Sequence, residues 1–392
     1  MSPSRAFLPG FMILTLLSGS TIGMAKIVTT LYAIDLGATP LQLGVIGAME
    51  SLGMLLLTLP AGVFIARYGA RRVYFLASLG PMLLNLAIPL FSGWVWLAMF
   101  RLLIGLCIPF RMVAMSSAFL DRLRHIGNAK AGWYRAALTL GMGLLGPLLG
   151  SGLSAQVGFA GCFATIGMCF GAMAFSSLGF WRDAAPKPAA AGSASGASLW
   201  ALLNDRVVSQ SCLVEMLCGA THALFSTFII LLAITRAGVS QPWAASLLMV
   251  QGAALVVVLL GLGRAVQRLG TRSTYLFAMV SALAALLLLG LGSGYSVYAL
   301  GAVLLSVAMA LLHLLNMAQL GAQPMDKGRI GGLFNLAGLL GSCASALLGG
   351  AVAQRLGIAN VFLAWIAPLV LAGGFGWLRH LRAAPGLQAM EH

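Results

Sequence analysis

The sequence predicts an all-α integral membrane protein: twelve transmembrane helices in two six-helix bundles related by an internal repeat. Three observations lead there. The 392-residue chain is 60% hydrophobic and 8% charged, with a mean hydropathy of +0.98, so lipid rather than water must be the solvent for most of it. Apolar runs long enough to cross a hydrocarbon core of about 30 Å recur along the chain, separated by short polar or glycine-rich breaks. Finally, residue patterns in the first half return about 200 positions later.

Taken in order, the runs predict spans over 8–34, 42–66, 73–92, 94–118, 132–154, 160–180, 208–234, 242–262, 274–292, 296–318, 331–353 and 358–378. Strands of a lipid-facing barrel would alternate apolar with polar residues, which these runs do not. The opening "MSPSRAFLPGFMILTLLSGSTIGMA" has the elements of a signal peptide, but its apolar pattern continues unbroken into "IVTTLYAI", which fits a first span.

The net charge of +15 reports topology. With the N-terminus inside, eighteen of the twenty-three Lys and Arg fall on the cytoplasmic side and only Arg236 and Arg355 outside. That asymmetry follows the positive-inside rule and predicts both termini in the cytoplasm, with no nucleic-acid partner needed. All six cysteines fall within the predicted spans, so neither a disulfide framework nor a metal site is expected. No cofactor is implied.

The one long polar gap, 182–206, is rich in Ala, Pro, Gly and Ser and reads as a cytoplasmic linker. It divides the chain into an N-terminal six-helix bundle (1–181), a C-terminal six-helix bundle (207–382) and a cytoplasmic tail (383–392). A shift of 201 pairs Gly62 with Gly263, Arg67 with Arg268, Gly69 with Gly270, Arg71 with Arg272, and Glu50 with Gln251. A shift of 200 pairs Gly141 with Gly341 and Gly150 with Gly350. Repetition at half length is the mark of transporters in which two similar bundles rock about a central site. The paired turns "GVFIARYGARR" and "GRAVQRLGTRS" then have two readings. Their arginines anchor the cytoplasmic face to lipid phosphates, or they form a conformational latch that breaks and remakes contacts as the bundles move. Gly62 and Gly69 are expected to allow close approach and a tight turn.

These features resemble the major facilitator superfamily, in particular its drug and metabolite:proton antiporters. The turn after span two is similar to the family's cytoplasmic signature, keeping Gly62, Arg67, Gly69 and Arg71, but with Ala66 where the family has Asp. "RLLIGLCIP" resembles a second signature, with Arg101 in the arginine position, for which the resemblance implies a part in proton coupling. "GMGLLGPLLGSG" resembles the antiporter motif through Gly146, Pro147 and Gly150, implying a hinge in span five.

Ionisable groups in lipid are costly, so those present are candidate functional residues. Lys26, Glu50 and Arg101 lie at a common depth, about seven or eight residues from the outer ends of spans one, two and four, and are expected to form one cluster. Glu50 would exchange a proton or a substrate group, tuned by the two cations. Arg111 should lie about 15 Å deeper, in the substrate cavity, bringing the excess there to two positive charges and favouring an anion. In the second half, Glu215 and His222 share a face of span seven, with His313 in span ten and Gln251 at the position matching Glu50. His222 is a candidate proton carrier or substrate contact, and Glu215 a candidate partner for Arg111.

No nucleotide-binding loop, zinc-protease motif, CxxC pair or nucleophile elbow occurs, so this is not expected to be an enzyme or an ATP-driven pump. The leading expectation is a monomeric secondary transporter of the inner membrane, exporting a small organic solute in exchange for protons. The alternative is proton-coupled import of an organic anion such as a carboxylate or siderophore. From another class, a non-transporting receptor or assembly factor would carry the same fold.

Overall fold

The computed structural model describes residues 3–126, 137–180, 204–261, 263–321 and 327–383. The linker up to residue 203 and the tail from 384 lie outside them. Among the described residues no strand occurs, and the helices are α1 (Pro3–Asp35), α2 (Pro40–Tyr68), α3 (Ala70–Ala87), α4 (Trp94–Ile126), α5 (Gly146–Phe180), α6 (Arg206–Ala237), α7 (Gln241–Gly261), α8 (Gly263–Leu291), α9 (Tyr295–Gly321), α10 (Lys327–Leu356) and α11 (Ile358–Ala383). Among the described residues ten helical stretches are long and apolar enough to cross a membrane, and Ile358–Leu371 is a shorter one.

Several helices outrun their predicted spans: α1, α2 and α4 each continue beyond the apolar run that announced them. Apolarity marks only the lipid-facing length, whereas the backbone ladder continues until a cap or breaker ends it. The described part of the predicted span 132–154, from residue 137, is joined to the span 160–180 in one helical run, and within Gly146–Phe180 Gly158 departs from helical geometry, at φ +68°. Likewise, the arginine-rich segments are not loops. Gly69, at φ +84°, is the single residue between α2 and α3, and Gly270, at φ +75°, is a one-residue break inside α8. Gly62, expected to help make that turn, lies within α2 and faces open space.

Every positive-φ residue described is a glycine, and the eight fall into four pairs: Gly37 with Gly238, Gly69 with Gly270, Gly93 with Gly294, and Gly158 with Gly357. The left-handed region is open to glycine because it lacks a Cβ. The first three pairs are 201 residues apart and the fourth 199.

Packing follows small residues. A Cβ on Gly146 would lie 2.6 Å from the Ser20 carbonyl oxygen and 2.7 Å from the Gly23 Cα, so the start of α5 lies directly against the backbone of α1. A five-residue π turn, Gly141–Leu145, precedes it, with Gly141 equally tight against Leu16 and Ser20 of α1. In the second half α6 meets α10 the same way, with Gly219 against Gly338 and Gly341 against Met216. Within the first half α2 packs on α4 and α3 on α5; within the second, α7 packs on α9 and α8 on α11.

Between the halves, α2 packs on α10 and α5 with its π turn on α7. A Cβ on Gly350 would lie 3.1 Å from the Pro40 carbonyl oxygen and 3.2 Å from the Gly44 Cα, and Gly252 of α7 abuts the Gly143 carbonyl. At the opposite ends of α2 and α10, Gly62, Gly331 and Gly332 face open space.

Candidate functional site: a cavity between the halves

A cavity of about 1060 Å³, its open mouth included, lies where the two halves face each other. Lys26 of α1, Glu50 of α2 and Arg101 of α4 line it from the first half; His222 of α6 and Gln251 of α7 line it from the second. Four of these came from sequence depth and charge, and Gln251 from its match to Glu50 in the repeat. Apolar lining comes from Leu43, Ile46, Met142, Leu248 and Leu255. The hydroxyls of Thr29, Thr30, Ser226, Thr227 and Ser342 complete the wall. Sequence reasoning missed these, because a Ser or Thr in a span commonly bonds its own helix, as Thr29 does to the Ala25 carbonyl at 2.6 Å.

The expected three-residue cluster resolves into a pair and a lone cation. Glu50 and Arg101 form an ion pair in which both residues are buried, at 5% and 2% exposure. Gly105, one turn along α4 from Arg101, lets the two helices touch, since a Cβ there would overlap the Glu50 carbonyl. Among the described residues no carboxylate lies within ion-pair distance of Lys26, which is exposed to the cavity. On two of the lining residues a buried donor has no described acceptor: Nη1 of Arg101 and Nε2 of Gln251. The Gln251 backbone is held separately, its carbonyl accepting from Ser306 Oγ at 2.8 Å.

Arg111 corrects the expectation that it lies in the cavity. It is 1% exposed inside the first half, where Nε donates to Ser78 Oγ at 2.9 Å and Nη2 to Tyr74 Oη at 3.2 Å. Its guanidinium carbon stands 4.4 Å from the centre of the Phe170 ring and 5.2 Å from that of Tyr74. Its partners stand on α3 and α5, so the side chain turns into the first half. The expected pair between Arg111 and Glu215 is therefore absent. Glu215 instead lies 3.7 Å from Nδ1 of His313 across α6 and α9, and neither residue lines the cavity. With Arg111 removed, the cavity excess falls from two positive charges to one, counting histidine as neutral.

Of the paired arginine turns, Arg67 lies over the Tyr68 ring at 5.4 Å, and neither Arg67 nor Arg71 has a described carboxylate partner. Arg272 is exposed, and the side chain of Arg268 is outside the described set, as is any side-chain surrounding of Gly263. The Gly146, Pro147, Gly150 motif acts in packing and lining. Gly146 and Gly150 close on α1, and Pro147 faces the cavity.

Three solved structures of similar shape are described as transporters. The nucleoside transporter NupG superposes with a TM-score of 0.75 at 11% identity, covering 93% of this chain and 97% of that one. A bacterial homolog to the human lysosomal transporter Spinster, inward-facing and unoccupied, gives 0.76 at 14% identity, covering 96% and 97%. The human organic anion transporter MFSD10 gives 0.69 at 18% identity, covering 96% and 100%. No match was found among curated protein sequences. At such identities likeness establishes the fold, and a profile of the sequence itself carries the classification. Residues 11–345 match the Major Facilitator Superfamily, so this multi-pass membrane protein, with its cavity between two sets of helices, belongs to that family of transporters.

Proposed function

We propose that this protein is a secondary active transporter that moves a small organic solute bearing a negative charge by alternating access. The observation that carries the reading is Lys26: a cation with no described carboxylate within ion-pair distance, exposed in a cavity bounded by both halves. A bare ammonium inside a membrane protein is costly unless an anion meets it. Apolar residues on the same wall suit an organic body attached to the anionic group.

The architecture that supports alternating access is two six-helix bundles. Ten apolar stretches are present; the 42-residue one, Ala137–Leu178, is about 63 Å long and bends at Gly158, giving two crossings. With Ile358–Leu371 the count is twelve. Equivalent packing partners in each half and the four glycine pairs support the repeat. The halves touch at the α1–α2 end and face open space at the other, as expected of a state open to one side. The arginine turns lie at that open end, which suits a latch engaged in the opposite state. The charge asymmetry of the loops supports cytoplasmic termini in an inner membrane.

A proton-coupled exporter is the second reading, favoured by the Glu215–His313 pair, which offers a titratable site in the second half separate from the cavity. Purified protein in detergent should be stabilised against heat by benzenesulfonate but not by benzenesulfonamide or benzylammonium. The effect should disappear in Lys26→Gln. Stabilisation by benzylammonium alone would reverse the assignment and leave a cation exporter. Accumulation driven by a pH gradient, lost in Glu215→Gln, would establish the second reading.

A further inference from the structure

We infer that the transporter is an obligatory anion exchanger, in which the charge of Lys26 prevents the empty cavity from reorienting. The inference rests on the reading of the cavity as an anion site. It follows from the charges that face the cavity from each helix lining it. α1 contributes Lys26, α2 contributes Glu50, and α4 contributes Arg101. The residues contributed by α5 and its π turn, α6, α7 and α10, among them Met142, Pro147, His222, Gln251 and Ser342, add no formal charge with histidine counted as neutral. Glu50 and Arg101 cancel as an ion pair, so the empty cavity holds one positive charge and the cavity loaded with a monovalent anion holds none.

In the open state Lys26 is exposed and its charge is solvated through the mouth of the cavity. Reorientation requires the walls to close on it, stripping that water. An unpaired ammonium at membrane depth then raises the barrier, slowing empty return on the order of a hundredfold. A bound anion removes the penalty in either direction.

The same bookkeeping separates the coupling schemes. Anion export against proton import would return a cavity holding Lys26 and an added proton, two positive charges in all, with the largest barrier of any step. Anion import with a proton would return the empty cavity at one positive charge. With Lys26 protonated throughout, exchange of one monovalent anion for another is the cycle in which both crossings are neutral.

The test is interconversion of the full chain in proteoliposomes, followed by single-molecule fluorescence between dyes on cysteines introduced at Val63 of α2 and Gly331 of α10, with the six native cysteines replaced. Without solute, the protein with Lys26 intact should interconvert on the order of a hundredfold more slowly than Lys26→Gln, and Lys26→Arg should stay slow. Benzenesulfonate, which stays anionic across the working pH range, should release the Lys26 protein and leave Lys26→Gln unchanged. Empty Lys26 protein that interconverts as fast as Lys26→Gln overturns the exchanger. Release by Lys26→Gln but not by benzenesulfonate overturns the anion site on which the exchanger rests while leaving the charge barrier in place, so the two failures are distinct. An equal slowing in Lys26→Gln and the Lys26 protein overturns the role of the charge.

Discussion

Glu50 and Arg101 show how little a residue's identity says about its role until its neighbours are placed. Each is an ionisable group in a span, and each could have faced substrate. Paired and buried, they offset one another, so breaking the pair from one side leaves a stranded charge. Glu50→Gln and Arg101→Met should each destabilise the protein by about 3–5 kcal/mol, while the double variant recovers most of that loss. Thermal unfolding of the three variants in detergent is the measurement; equal additive losses would mean the pair carries no coupling. Arg111 makes the contrasting case, since its surroundings are aromatic rings and hydroxyls rather than a carboxylate. Its planar guanidinium stacks on Phe170 while reaching Ser78, which an ammonium cannot do. Arg111→Lys should therefore lower stability by about 1–3 kcal/mol, and Arg111→Met by less, because methionine removes the buried charge and keeps the volume. A larger loss in the methionine variant would show that the cation itself is required.

At the scale of the helix, glycines decide how close two backbones come. Gly143 in the π turn and Gly252 in α7 meet across the halves, where a Cβ on Gly252 would overlap the Gly143 carbonyl. Neither helix can be displaced without opening the cavity wall that both line. Gly252→Ala should leave the fold intact, because each half retains its own packing, yet it should abolish transport by blocking the approach of α5 to α7. Solute exchange in proteoliposomes, read beside an unchanged elution profile in detergent, tests this. Full transport by Gly252→Ala would mean that the halves do not need this contact. The sequence did mark α5 as special through Gly146 and Pro147, but the meeting of Gly143 with Gly252 joins residues more than a hundred positions apart. Nothing in local pattern announces such a pair.

Across the whole molecule, α2 and α10 meet closely at one end, through Gly44 and Gly350, while Gly62, Gly331 and Gly332 at their other ends face open space. Hydropathy dictated the all-helical membrane fold, because in lipid every backbone polar group must be satisfied within its own segment. Spacing in the sequence pointed to a repeat: glycine is the residue that readily turns the chain at positive φ, and Gly69 and Gly270, paired by the shift of 201, both adopt it. Depth was legible too, since a helix rises by a fixed amount per residue, and it brought Lys26, Glu50 and Arg101 to one level. Azimuth was not. Which way each side chain turns depends on helix rotation and tilt, which are set by packing against neighbours. That is why only the tertiary structure could pair Glu50 with Arg101, withdraw Arg111 into the first half, join Glu215 to His313, and leave Lys26 as the one unpaired cation among the described residues that line the cavity.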